Sequence, residues 1–213
     1  MKPNIVSKKQ LSKGKFIVFE GGEACGKTTQ IELLKEILPK SQTIFTKEPG
    51  GTKEAEQIRK LVITGSKDKL LAESELLLIY AARFEHVQKV ILPALAQGKN
   101  VISDRFNLST KVYQGAARGL AIELIEALDS MILQNFAPDL TFIFDLPVKE
   151  IRKRVAKRAG TNERFEKFSD EFHEKIRQGF LTYAKGRKDH VILDASKTAK
   201  QLHKLINAHL SMD

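Results

Sequence analysis

Cysteine is nearly missing: Cys25 is the only one in 213 residues. No disulfide can therefore form within the chain, and the usage fits a reducing compartment. No apolar run approaches the roughly 20 residues that a membrane-spanning helix needs. The first ten residues are polar and basic, without the apolar core of a secretory leader. A cytoplasmic location with no membrane partner is expected. Internal repeats, low-complexity tracts and linkers are also lacking, which points to one domain over 1–213. Acid is short as well, with 26 Asp and Glu against 36 Lys and Arg, a net charge of +10. Polyanions are therefore the expected partners, and nucleic acid enters as one of them. The surplus has local sources, however. Residues 151–164 hold Arg152, Lys153, Arg154, Lys157, Arg158 and Arg164 against the single acid Glu163. Lys2, Lys8, Lys9, Lys13 and Lys15 charge a basic N-terminal arm, which reads as a solvated tail over about 1–14. Nucleotide phosphates alone account for the first cluster, so nucleic acid is not the expected partner.

What the chain does have is concentrated at 21–29, Gly-Gly-Glu-Ala-Cys-Gly-Lys-Thr-Thr. Gly21-x-x-x-x-Gly26-Lys27-Thr28 is a strict phosphate-binding P-loop. Its glycines let the backbone curl until several N–H groups point at one anion. Lys27 brings a mobile cation for β- and γ-phosphates, and the Thr28 hydroxyl can hold Mg²⁺. Gly21, Gly22, Glu23, Ala24, Cys25, Gly26, Lys27, Thr28 and Thr29 are thus the expected nucleotide-binding set. Cys25 reads as a small residue at a variable loop position. The flanks agree: 15–20 is a short apolar run suited to a buried strand, and 28–38 has helical apolar spacing. The loop therefore opens a helix whose N-terminus faces the phosphates.

Strand-like and helix-like runs then alternate. Strands are expected at 43–46, 100–104, 140–145 and 190–194. Helices are expected at 54–62, 72–97, 120–135, 148–157, 169–188 and 198–209, with Pro93 as a kink or stop near the end of the longest. Pro147 stands where a helix can start. This alternation predicts an α/β, three-layer P-loop NTPase fold, with a five-stranded parallel sheet and helices on both faces. Ligands of such sheets sit at the carboxyl ends of the strands, where Glu20, Asp104, Asp145 and Asp194 fall.

Beyond the P-loop come Glu48-Pro-Gly-Gly-Thr52, Ala81-Ala-Arg83, Ser103-Asp-Arg-Phe106, Leu108-Ser-Thr110, Tyr113-Gln-Gly115 and Pro138-Asp-Leu-Thr141 ahead of Asp145. In this order and spacing, from about Lys15 to Asp194, the chain resembles the thymidylate kinase family. The resemblance implies transfer of a phosphoryl group from ATP to dTMP, with Mg²⁺, in a homodimer formed through long helices. It gives Arg105 the role of clamping the acceptor monophosphate and places Arg83 near base and phosphate. Glu23 would approach the deoxyribose 3′-hydroxyl and Tyr113 would lie beneath the sugar, with Ser109 and Gln114 near the base edge. The basic stretch 152–168 matches a mobile lid. This P-loop has no arginine at its variable positions, so the lid is expected to supply one, with Arg158 and Arg164 first and Arg154 behind them.

Charge logic supports part of this independently. A carboxylate at a strand end such as Asp104 can reach Mg²⁺, and the adjacent Arg105 offers a planar fork to a phosphate. Arg83 interrupts an apolar helical run and must be paired or reach solvent. Two positions depart from the family. Ile79 stands where the family usually stacks a phenylalanine on thymine, and Lys47 stands where it often has arginine before Glu-Pro-Gly. Both touch the acceptor site. A kinase for another nucleoside monophosphate or a deoxynucleoside remains the alternative within the enzyme class. A nucleotide-dependent nucleic-acid-binding regulator is the alternative outside it, and it would bind DNA with a steep salt dependence.

Overall fold

The computed structural model describes residues 14–157 and 164–210. Five strands, β1 (Phe16–Gly21), β2 (Thr43–Lys47), β3 (Asn100–Asp104), β4 (Leu140–Asp145) and β5 (His190–Asp194), form one sheet in the order β2-β3-β1-β4-β5. Every pairing is parallel. The helices are α1 (Lys27–Ile37), α2 (Lys53–Ile63), α3 (Ala72–His86), α4 (Leu92–Ala96), α5 (Asn107–Thr110), α6 (Ile122–Leu133), α7 (Val148–Lys157), α8 (Asp170–Ala184) and α9 (Ala199–Leu210).

The central strand shows why the sheet is covered on both sides. All six residues of β1 are buried, and successive side chains point to opposite faces. Ile17 and Phe19 pack with Ile31, Leu34, Phe142, Leu202 and Ile206, under α1 and α9. Phe16 and Val18 pack with Ile91, Leu95, Val101, Phe106 and Phe136 on the other face. A further apolar cluster joins Ile143 to Val112, Tyr113, Phe165, Phe172, Ile176 and Phe180, which seats α8 beside the site. The expected three layers and five parallel strands are present.

Two departures from expectation have local causes. The helix expected over 72–97 is not uniform: α3 passes through a π-helical turn, Val87–Ile91, before α4. Pro93 has no N–H, and its ring crowds the carbonyl one turn back, so the preceding turn widens. The segment 107–117 carried no helical expectation, yet α5 continues into a π-helical stretch, Lys111–Ala117. Thr110, Val112 and Gly115 are weak helix formers, and burial of Val112, Tyr113 and Gln114 holds the segment in place.

The strand ends gather as anticipated, but their acids divide. Asp104 faces the P-loop. Asp145 is instead held by Arg177 at 2.6 and 3.1 Å, and Asp194 accepts from Ser196 nearby. Those two carboxylates tie local structure together.

Candidate active site

Gly21 ends β1 at φ 141°, and a Cβ there would stand 2.7 Å from the Phe144 carbonyl oxygen. Gly26 precedes α1 at φ 100° with no side-chain cap. The first-turn N–H groups of α1 are therefore left for an anion. Lys27 is buried and donates to the carbonyls of Gly21 (3.2 Å) and Gly22 (2.8 Å) and to Cys25 Sγ (3.4 Å). The Cys25 thiol donates to Gly22 O at 3.1 Å and is buried, as befits a small residue filling the turn. Thr28 Oγ1 donates to Asp104 Oδ2 at 3.2 Å across to β3, while Asp104 Oδ1 is buried without a hydrogen-bond partner. Thr29 is exposed on the first turn of α1.

Residues 23–28, Lys47, Glu48, Arg59, Asp104 and Arg105 line a polar cavity of about 580 Å³. Adjacent to it lies a second, more apolar cleft of about 540 Å³. Ile79, Arg83, Ser109, Thr110, Tyr113, Gln114 and Phe165 are among its lining residues. Glu23, Glu48, Arg59 and Arg105 belong to both walls.

Arg105 is the centre of that shared wall. Its φ of 72° lies in the left-handed region, which costs a non-glycine residue about 1 kcal/mol. Two bonds hold it there, from its own N–H to Phe19 O (2.9 Å) and from the Ser103 hydroxyl to its carbonyl (2.8 Å). The guanidinium donates to Gly21 O (2.7 Å), Ser109 Oγ (3.1 Å), Glu23 Oε1 (2.9 Å) and Tyr113 Oη (3.0 Å). It also lies 4.9 Å from the centre of the Tyr113 ring. Burial opposes its charge, but Tyr113, Glu23, Asp104 and Glu20 more than offset this and keep it charged. Glu23 shows the reciprocal effect. Burial would raise its pKa, yet Arg105, Lys27 and a bond from the Tyr113 hydroxyl (2.7 Å) hold it below the ordinary carboxylate value. Glu20 lies deeper and is pushed up by burial, although Ser109 and the Phe106 N–H donate to it.

Arg83 is paired, not solvated. Its Nε donates to Glu48 Oε2 at 2.8 Å, and Nη2 donates to Phe106 O (3.1 Å) and Thr110 Oγ1 (3.0 Å). The guanidinium lies between the rings of Tyr80 and Phe106. Nη1 is buried with no partner, in a side chain that lines the cleft. Glu48 also meets His86 Nδ1 at 3.0 Å, and His86 Nε2 lies 2.6 Å from Thr46 Oγ1. A Cβ on Gly51, at φ 88°, would collide with that imidazole.

The expected residues thus fall into three groups. The P-loop, Asp104 and Arg105 meet at one cavity. Glu23, Ile79, Arg83, Arg105, Ser109, Tyr113 and Gln114 meet at the other. Lys47, expected at the acceptor site, instead lines the P-loop cavity, paired with Glu56 at 3.5 Å. Of the lid arginines, Arg164 is placed otherwise than expected. Arg164 is fully buried and donates to Glu75, Val62 O, Ser66 O and Lys67 O, so it is not a free cation over the phosphates. A burial this deep demands several acceptors, and the 62–75 segment supplies them. Arg158 lies outside the described residues. Arg154, ranked behind both, is the one that reaches the P-loop, donating to Ala24 O (3.3 Å) and Ala195 O (2.8 Å).

Sequence reasoning missed Glu48, Arg59, Thr110, Phe165 and Glu75. Glu48 sits in a segment that reads as a turn, and nothing local announces a buried carboxylate. Arg59 and Phe165 come from segments far from the P-loop in sequence.

A model of the thymidylate kinase family, described as thymidylate kinase, matches residues 19–206. The chain belongs to the thymidylate kinase family. It is 44% identical over 200 residues to the thymidylate kinase of Ectopseudomonas mendocina (strain ymp), covering 92% of this chain and 95% of that one. It is 46% identical, with the same coverage, to the thymidylate kinase of Shewanella sp. (strain MR-4). Among solved structures, the crystal structure of thymidylate kinase from Ehrlichia chaffeensis aligns with a TM-score of 0.72 at 33% identity, covering 93% of this chain and 99% of that one.

Proposed function

We propose that the protein transfers the γ-phosphoryl group of ATP to dTMP, giving ADP and dTDP. One observation carries this reading: the guanidinium of Arg105 forms part of the wall of both cavities and bonds to a P-loop carbonyl. Transfer between two phosphates needs no strong base, because the acceptor oxygen is already ionised. The protein's task is to hold donor and acceptor in line and to neutralise charge. Lys27 and the α1 N-terminus hold the β- and γ-phosphates. Lys27 would exchange its bonds to loop carbonyls for bonds to phosphate oxygens. Arg105 meets the acceptor phosphate from the shared wall, and the free Nη1 of Arg83 faces the same ligand. Glu23, ionised and held by Arg105 and Tyr113, can accept a hydrogen bond from a sugar hydroxyl.

Thr28 and Asp104 fit a divalent cation. Among the described residues no group of three or more His, Cys, Asp or Glu forms a metal cage. Mg²⁺ suits such a sparse site, since it takes one or two protein oxygens and completes its shell with phosphates and water. The unpartnered Asp104 Oδ1 is the available carboxylate oxygen. When bound, Mg²⁺ offsets the negative charge of the β- and γ-phosphate oxygens.

The segment 152–168 serves as a lid, with Arg154 the cation already at the P-loop. Exclusion of water by its closure favours transfer over hydrolysis. The chain acts as one domain in the cytoplasm. We infer a homodimer through α3 and α6, where Leu77, Leu124 and Met131 expose apolar side chains. Among the described residues no helix is long and apolar enough to cross a membrane. A panel of dTMP, dUMP, dCMP, dGMP, AMP and thymidine, assayed for ADP release, tests the reading. Fast turnover of dTMP is expected. Preference for any other acceptor, or for none, would overturn it.

A further inference from the structure

Glu75, near the start of α3, is fully buried and takes part in neither cavity. Three donors from two segments converge on it. Gln114 Nε2 donates to Oε1 at 2.8 Å. Arg118 Nη1 donates to Oε2 at 2.7 Å, and its Nη2 reaches Leu70 O at 3.0 Å. Arg164, from the far side of the lid segment, also donates to Oε2. The two oxygens therefore divide: one holds both guanidinium groups, and the other holds only Gln114.

That division has a chemical consequence. A carboxylate flanked by two guanidinium groups can only accept hydrogen bonds, whereas a carboxamide has a donor end and an acceptor end. Facing Glu75, Gln114 must present its nitrogen. Its carbonyl oxygen is left as the end turned away from Glu75, in a side chain that lines the acceptor cleft beside Ile79, Arg83 and Thr110. An amide without such a partner could rotate and offer either end.

We propose that Glu75 is a positioning residue: it locks the Gln114 amide so that the cleft meets a hydrogen-bond acceptor, selecting a base whose ring nitrogen bears hydrogen. Thymine and uracil satisfy this requirement. Cytosine presents a bare ring nitrogen, and two acceptors would then face each other unpaired. Arg164 joins the end of the lid segment to the same carboxylate, so base reading and lid anchoring share one group. The proposal rests on the cleft being the nucleotide acceptor site.

The test compares kcat/KM for dTMP and dCMP in the wild type, Glu75→Gln and Gln114→Leu, with a thermal melt of each. A glutamine at 75 offers both a donor and an acceptor, so Gln114 is no longer locked. The dTMP-to-dCMP ratio should fall by about tenfold or more, the scale of one hydrogen bond exchanged for an unpaired polar group. Gln114→Leu keeps both arginines on Glu75 and should lower the ratio by a similar factor. A merely structural role would lower both substrates together and leave the ratio unchanged. An unchanged ratio in either folded variant overturns the proposal, and if Glu75→Gln does not fold, Glu75→Asp, which keeps the charge but draws the carboxylate back from Gln114, takes its place with the same expected fall. A wild type inactive on dTMP would sink the functional reading instead, which keeps the two failures distinct.

Discussion

The polar P-loop cavity, the donor side of the proposed reaction, and the apolar cleft, its acceptor side, share a wall, yet they are built in opposite ways. The donor side comes mostly from one continuous stretch, 23–28, whose geometry follows from its own glycines and from the helix it opens. The acceptor side is assembled from the 48–63 region, α3, the 105–114 segment and Phe165. Its key cation, Arg83, is held by Glu48, 35 positions away, and by the backbone of Phe106. A local device tolerates damage elsewhere in the chain. A composite one depends on every contributor, so stability and activity should separate cleanly between the two sides.

The sharpest test of the contrast is Lys27→Met. Among the described residues Lys27 bonds only to its own loop, so its loss should spare the fold while kcat falls about 10³-fold, the effect of removing one preorganised charge from a phosphoryl-transfer site. Matching melting curves beside lost ADP production would bear this out. If the variant unfolded instead, the donor side would not be the self-contained device described.

Glu48→Gln should do the reverse. Glu48 is buried with Arg83 and His86, and removing one charge from such a group costs about 3 kcal/mol of stability. Burial would raise the Glu48 pKa, but Arg83 and His86 outweigh it and hold it below the ordinary 4.5. A depressed carboxylate stabilises the fold above its unfolded pKa, and that contribution is lost as pH falls through the folded value. The wild type should therefore lose stability below about pH 4.5, on the scale of ordinary carboxylate titration. The variant should start lower and show a shallower acid limb in denaturant titrations across that range. Parallel limbs would remove Glu48 from the acid response.

Arg105→Lys probes the shared wall itself. Lysine keeps the charge but cannot make the four divergent bonds of the guanidinium. A loss of about 10² in kcat/KM is expected, with KM for dTMP raised and kcat lowered together. A change confined to KM for ATP would place Arg105 on the donor side alone.

The same contrast explains what could be read from the sequence. Strands β3, β4 and β5 have the bounds that their apolar runs suggest, and in β3 and β4 a buried parallel strand writes its burial into consecutive residues. Gly21, Gly26, Lys27 and Thr28 were legible because each has a mechanical reason within eight residues. Arg105 and Arg83 were legible from their charge in context and from the spacing of whole motifs, and Tyr113 only from that spacing. Glu48 and Glu75 were not, since a buried carboxylate looks like a surface one until its arginines arrive from distant segments. Arg164 was expected at the phosphates from its place in the basic lid stretch, and its acceptors at Ser66, Lys67 and Glu75 lie about a hundred positions away, beyond the reach of any local pattern. The helix over 107–117 was hidden by β-branched residues and a glycine whose places are set by packing against α8.

Arg154 gives the smallest effect and the finest test of how the lid joins the two sides. It leaves α7 to reach Ala24 O and Ala195 O, both uncharged backbone acceptors. Its partners are therefore exchangeable for a phosphate, whereas the charged partner of Arg164 is not. Arg154→Gln should lower kcat about tenfold, near 1.4 kcal/mol, with little change in melting temperature. Arg164→Gln should instead lower the melting temperature by leaving Glu75 short of a buried partner. Measured together, the pair separates a cation poised at the donor phosphates from one that anchors the lid's end. If Arg164→Gln melted like the wild type and lost more activity than Arg154→Gln, their assignments would have to be exchanged.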